Sequence, residues 1–197
     1  IYSDVETDGD CEGTKVIKRT WSLEDKCGNR AADQVQTITV SDTTRPTFTR
    51  PADITIYTDA NCDYDAEPSA TGDVTDESDN CSTGIEAIYS DAVADGDCQG
   101  KKVITRTWSL ADNCGNEAET QVQTITVLDT IAPTFTAPAN TTIYTDAHCE
   151  YDAEPSVTGD VTNESDNCST GIEATYTDDT VADATCEGKK VITRTWS

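Results

Sequence analysis

The chain has 197 residues, and its 38 Asp plus Glu against 13 Lys plus Arg leave a formal charge of −25, which disfavours nucleic acid and anionic membrane as partners. No run approaches the roughly 20 apolar residues a bilayer span needs, so direct membrane insertion is not expected. Nine cysteines with no methionine, none in a Cys-x-x-Cys pair of the zinc or thioredoxin kind, point to disulfides and therefore to a secreted or surface-displayed protein.

The segment from Tyr2 to Asn29 opens the chain and carries Cys11, Trp21 and Cys27. A strand-like run, Val35 to Val40, then meets "SDTTRPTF", where Asp-Thr and Pro46 read as a short linker. After it come "ITIYT" from Ile54, "IEAIYS" from Ile85, "KKVITRTWSL" from Lys101 and "TQVQTITVL" from Thr120, rich in the β-branched and aromatic residues that favour strands. Between the last two, "ADNCGNEAETQ" has the turn chemistry of a hairpin tip. Helical periodicity of useful length is absent. The run Val122 to Leu128 leads into "LDTIAPTF", a second linker with Pro133.

The strongest signal is internal repetition. "GIEAIYSDAVADGDCQGKKVITRTWS" starts at Gly84 and "GIEATYTDDTVADATCEGKKVITRTWS" at Gly171, 171 − 84 = 87 residues later. Cysteines keep that register: Cys11, Cys98 and Cys186; Cys27 and Cys114; Cys62 and Cys149; Cys81 and Cys168. One interval is longer, 186 − 98 = 88, which places an extra residue near Asp179 and requires a loop there, since a strand would flip its register. Three segments follow: 1–42 as the back of one copy, 43–129 as a complete copy, and 130–197 as the front of a third. The chain opens at Ile1 in what reads as mid-strand and stops just after Trp196, so a longer parent polypeptide is expected. Near-identical neighbours point to duplicated units sharing one mechanical job.

Seven or so short strands in an 87-residue copy predict an all-β fold of tandem Ig-like β-sandwiches. In the Lys101 strand, Ile104, Arg106, Trp108 and Leu110 share one face by the two-residue period, which makes Trp108 and its copies Trp21 and Trp196 core anchors. Arg106 on that face needs a partner.

"SDNCSTG" ahead of one strand, "ADNCGN" after the Trp-bearing strand and the closing "VQTITVLDTIAP" resemble the hyalin-repeat (HYR-like) Ig-fold domains, closest to the four-cysteine version in giant surface and gliding-associated proteins of Bacteroidetes. The resemblance covers the whole chain. It implies an extracellular adhesin or filament and says nothing about molecular activity.

Four cysteines per copy allow three pairings. In a sandwich of this type the loop with Cys81 and the tip with Cys114 share one end, and Cys62 and Cys98 the other. The expectation is therefore Cys62 with Cys98, Cys81 with Cys114 and Cys149 with Cys186, leaving Cys11, Cys27 and Cys168 to partners outside the chain. The alternative is sequential pairing, Cys62 with Cys81 and Cys98 with Cys114. It suffers because a strand of about ten residues spans about 33 Å, whereas a disulfide needs Cα atoms within about 7 Å.

The lone histidine, His148, is matched by Asn61 in the preceding copy, so no Ser/His/Asp or Cys/His constellation can be assembled and an enzyme is not expected. Calcium is the candidate cofactor, because it takes six to eight oxygen ligands. Three acidic sets qualify: Asp76, Glu77 and Asp79 before Cys81; Asp59, Asp63 and Asp65; and the linker acids Asp42 or Asp129. "DANCDYDAEPS" does not meet the EF-hand pattern, and solvated acids that hold neighbouring stalks apart are the competing reading. Asn80, Asn140, Asn163 and Asn167 match the N-glycosylation sequon, while Thr43, Thr130 and Thr180 follow Asp in a motif that resembles the O-glycosylation signal of Bacteroidetes.

These observations lead to a stalk or spacer whose partners are neighbouring repeats of the same chain. Two alternatives stand beside it: repeats that grip a surface glycan or protein, for which Tyr57, Tyr64 and Tyr89 could supply aromatic contacts, and accessory domains of a secreted enzyme.

Overall fold

The computed structural model describes residues 1–184 and 188–197. Strands dominate, as the β-branched runs require. The first copy contributes β1 (Tyr2–Asp8), β2 (Lys15–Trp21) and β3 (Gln34–Val40). The middle copy contributes β4 (Thr47–Thr49), β5 (Ile54–Tyr57), a one-turn helix α1 (Pro68–Thr71), β6 (Thr75–Ser78), β7 (Ile88–Asp95), β8 (Lys102–Ser109) and β9 (Gln121–Leu128). The third contributes β10 (Thr134–Thr136), the one-turn helix α2 (Pro155–Thr158), β11 (Thr162–Ser165), β12 (Tyr176–Ala182) and β13 (Lys190–Trp196).

In the middle copy a two-stranded sheet, β4-β6, and a four-stranded sheet in the order β5-β9-β8-β7 share one core. Phe48 from β4 packs with Trp108, Leu110 and Ala118, and Val74, Ile85 and Ala87 close around them. Along β8 the two-residue period holds: Ile104, Arg106, Trp108 and Leu110 are all buried. The strand after "SDNCSTG" starts at Ile88 instead of Ile85, because Ile85 and Ala87 are drawn into the core as irregular backbone.

Arg106 is 1% exposed and makes four hydrogen bonds. Its Nε and Nη2 donate to both carboxylate oxygens of Asp91 at 2.8 and 2.7 Å, Nη1 donates to Thr71 Oγ1 at 2.9 Å, and Nη2 also reaches the Ala66 carbonyl at 2.6 Å. The guanidinium lies 4.1 Å from the Tyr89 ring centre, and Tyr89 in turn tilts against Trp108. A bidentate pair under an aromatic plane is the environment in which arginine differs most from lysine. It also explains α1, which begins at Pro68 and delivers Thr71 to this site. The same constellation recurs as Arg19 with Asp4 and Tyr2, and as Arg194 with Asp178, Thr158, Ala153 and Tyr176.

The extra residue of the third copy does not sit near Asp179. Strand β12 pairs with β13 in unbroken register from Tyr176↔Trp196 through Asp179↔Thr193 to Ala182↔Lys190, matching Tyr89↔Trp108 through Asp95↔Lys102 in β7 and β8. The insertion therefore falls between Ala182 and Lys190, outside the ladder, where no register is lost.

Contacts divide the chain into two compact units. Unit 1 comprises Ile1–Ile56, Asp65–Asp95 and Lys102–Thr126, and unit 2 comprises Tyr57–Tyr64, Gly96–Lys101 and Val127–Ser197. Each thus joins parts of neighbouring sequence copies.

Candidate functional site

Within unit 1, the turn between β1 and β2 carries Cys11, Glu12 and Gly13. The turn is closed by Gly9 N–H to the Thr14 carbonyl and by Thr14 Oγ1 to the Cys11 carbonyl at 2.7 Å. Glu12 reaches into the middle copy: Oε2 accepts from Thr83 N and from Asn113 Nδ2, both at 2.9 Å, and Oε1 accepts from Thr83 Oγ1 at 3.0 Å. These bonds, that of the Thr83 amide foremost, hold the Glu12 carboxyl below the usual carboxylate range. Beside it Cys11 is bonded to Cys114. Gly13 has φ +79°, and a side chain there would collide with Cys81, so glycine permits the close approach as well as the backbone angle.

Within unit 2 the arrangement repeats one copy later. Gln99, the counterpart of Glu12, accepts from Thr170 N at 2.7 Å. Gly100, the counterpart of Gly13, has φ +81° and no room for a Cβ against Cys168 and Asp129. Here the bond is Cys62–Cys168, supported by Asn167 Nδ2 donating to the Asp59 carbonyl at 2.9 Å.

The bonds expected inside a copy are therefore not the ones observed. Cys114 is joined to Cys11 and not to Cys81; Cys62 is joined to Cys168 and not to Cys98. Cys11 and Cys168 consequently find partners within the chain. Cys27, Cys81, Cys98 and Cys149 carry free thiols, and Cys186, expected with Cys149, lies outside the described residues. The Cys81 loop and the Cys114 tip are neighbours, as expected, with Asn113 N donating to Ser82 Oγ at 3.1 Å. The turn of the adjacent copy, with Cys11 and Glu12, enters that same space.

The hairpin tip is built on Asp112, whose Oδ1 accepts from Cys114 N and Asn116 N and whose Oδ2 accepts from Asn116 Nδ2. Burial works against charge on Asp112, but the side-chain and backbone N–H groups of Asn116 and the amides of Cys114 and Gly115 outweigh it and hold the carboxyl below its usual range. Carboxylate oxygens of Asp42, Asp79 and Asp112 lie within 4.8 Å of one another, the one group of this kind among the described residues. Asp42 Oδ2 and Asp79 Oδ1 are buried without a hydrogen-bond partner. Burial pushes the adjacent Cys81 thiol up, with Asp42, Asp79 and Asp112 adding to the push.

The structure thus brings Asp42 and Asp79 together and adds Asp112, whose sequence context, Asp-Asn-Cys-Gly-Asn, signals only a turn. The other acidic candidates have separate tasks. Asp76 sits at φ +59° and accepts from Thr75 Oγ1, and Glu77 Oε1 caps Ala87 N. Asp59 Oδ1 accepts from Asn61 N and Asp63 N and so shapes the turn that presents Cys62, while Asp65 caps Glu67 N. Asp129 accepts from Ile131 N and Thr58 Oγ1. Thr43, Thr130 and Thr180 are all exposed, the last within β12. His148 is exposed too, its amide tied to Asp146.

Compared with known proteins, the chain matches no family model and no curated protein. The site consists of disulfides between neighbouring sequence copies, with a carboxylate cluster beside the Cys114 tip.

Proposed function

We propose that the chain is a run of structural spacer repeats, tandem Ig-like β-sandwich domains, in an extracellular bacterial surface adhesin or filament. The observation that carries this reading is that both disulfides among the described residues join one sequence copy to the next. A bond placed there adds nothing to a pocket inside a copy, but it resists separation of copies under load. Two disulfides also suit an oxidising, extracellular setting, and the hyalin-repeat resemblance points the same way. Neighbouring repeats are then the principal partners, and no catalytic role is assigned.

The test is to delete one 87-residue copy from the parent protein on intact cells. The expected result is a surface projection shortened by a fixed increment with adhesion retained. Adhesion that falls in proportion to the number of copies overturns the spacer reading. That outcome would favour repeats that bind a surface glycan or protein, for which there is one specific observation: Tyr57 and its counterpart Tyr144 are 59% and 86% exposed. Tyr89 is a poorer candidate, since its ring lies against Arg106 and its hydroxyl donates to Glu67.

A further inference from the structure

We infer that each junction between consecutive copies carries two disulfides, one joining a Cys11-type cysteine to the Cys114-type cysteine of the next copy, and one joining a Cys62-type cysteine to the next Cys81-type cysteine. One bond of each kind is present among the described residues. Cys11–Cys114 links the first copy to the second, and Cys62–Cys168 links the second to the third.

The two junctions share one docking geometry, so a bond allowed at one is allowed at the other. Glu12 meets Thr83 just as Gln99 meets Thr170, and Gly13 lies against Cys81 just as Gly100 lies against Cys168. The free thiols obey the same rule. Cys81 is the counterpart of bonded Cys168, Cys98 of bonded Cys11, Cys27 of bonded Cys114 and Cys149 of bonded Cys62. Each of these four sits at a position that is bonded in another copy, and in each case the cysteine the rule assigns to it is absent from the 197 residues. The partner is the corresponding cysteine of a further copy of the repeat. Each bond forms when two thiols lose two protons and two electrons to the disulfide of an exchange catalyst, which departs as a dithiol.

The mechanical result does not depend on the spacer reading. With both bonds at every junction, the shortest covalent route through a copy runs from Cys114 back to Cys98, 114 − 98 = 16 residues, or from Cys81 back to Cys62, 81 − 62 = 19 residues. The rest of the 87 residues forms loops that bear no tension. At about 3.5 Å per extended residue, a copy pulled until it unfolds then lengthens to at most roughly 55 Å, against roughly 300 Å without the bonds.

The test uses the full-length parent protein, with thiols blocked before digestion and peptides mapped unreduced. Cys81 is expected in a linked peptide with a Cys62-type sequence, and Cys98 with a Cys114-type sequence. Blocked, unlinked Cys81 and Cys98, or links of Cys62 to Cys98 or Cys81 to Cys114, overturn the rule. Because near-identical copies confuse assignment, C81S provides a second measurement: it should expose one new blockable thiol, on the preceding Cys62-type cysteine. A new thiol on a Cys114-type cysteine, or none, overturns the rule. Single-molecule pulling with and without reductant adds a readout in which equal extensions in both conditions contradict it.

Discussion

Trp108 and Trp21 occupy the same place in two copies, beside the same arginine and tyrosine, yet one is 1% exposed and the other 44%. Their near surroundings barely differ: Tyr2 tilts against Trp21 at 5.2 Å and Tyr89 against Trp108 at 5.1 Å, and each arginine grips its aspartate with two hydrogen bonds. What the middle copy has in addition is the β4-β6 sheet with Phe48 across the core. The third copy makes the complementary case. Among its described residues β10 pairs with β11 and β12 with β13, and there Phe135 is 39% exposed where Phe48 is 6%. Local pairing of strands is thus encoded within each hairpin, whereas burial requires both sheets.

Trp108→Ala should break that comparison most severely, removing about 3 to 5 kcal/mol as other large-to-small core changes do, while Trp21→Ala, made in the same 197-residue chain, costs far less because its ring there meets water. Denaturant unfolding of the two variants checks this, and equal losses would mean the second sheet adds little. Asp91→Ala comes next. It strands the buried Arg106 charge and should cost on the order of 3 kcal/mol, whereas Asp4→Ala beside the more exposed Arg19 moves the same midpoint much less.

The smallest effect concerns Asp42, Asp79 and Asp112. A hard cation would satisfy their two orphan oxygens, so calcium should raise the melting temperature over EDTA by a few degrees and Asp79→Asn should abolish the difference. Protons oppose it: Asp112 has a folded pKa below its unfolded value, so its stabilising contribution is fully present above about pH 4 and is lost as pH falls through the folded pKa. Asp112→Asn should flatten the acid limb of a stability profile, and an unchanged limb would show that Asp112 is not among its causes.

Much of the middle copy was legible in the sequence because its signals are local. The alternation of Ile104, Arg106, Trp108 and Leu110 marked the inner face, the lone charge on that face announced a partner, and Asn-Cys-Gly-Asn announced the tip. The disulfides were not legible, since reasoning that closes a copy on itself cannot see a turn arriving from its neighbour. A trace of it was present: Gly13, Gly100 and Gly188 recur two residues after a cysteine in every copy, the mark of a close backbone approach. Asp112 was hidden for a related reason, as a residue that makes a turn gives no separate hint of what lies beside the turn.

The span of Cys11–Cys114 also sets a schedule. The two cysteines are 103 residues apart, and a ribosome adding roughly 5 to 20 residues per second needs about 5 to 20 s to deliver the second after the first. During that interval Cys27, Cys62, Cys81 and Cys98 emerge one after another as wrong partners for the earlier thiol. Oxidation that runs ahead of synthesis would trap such errors, so faithful assembly depends on the oxidant arriving after the next copy has folded, and the rate of oxidation becomes a proofreading step.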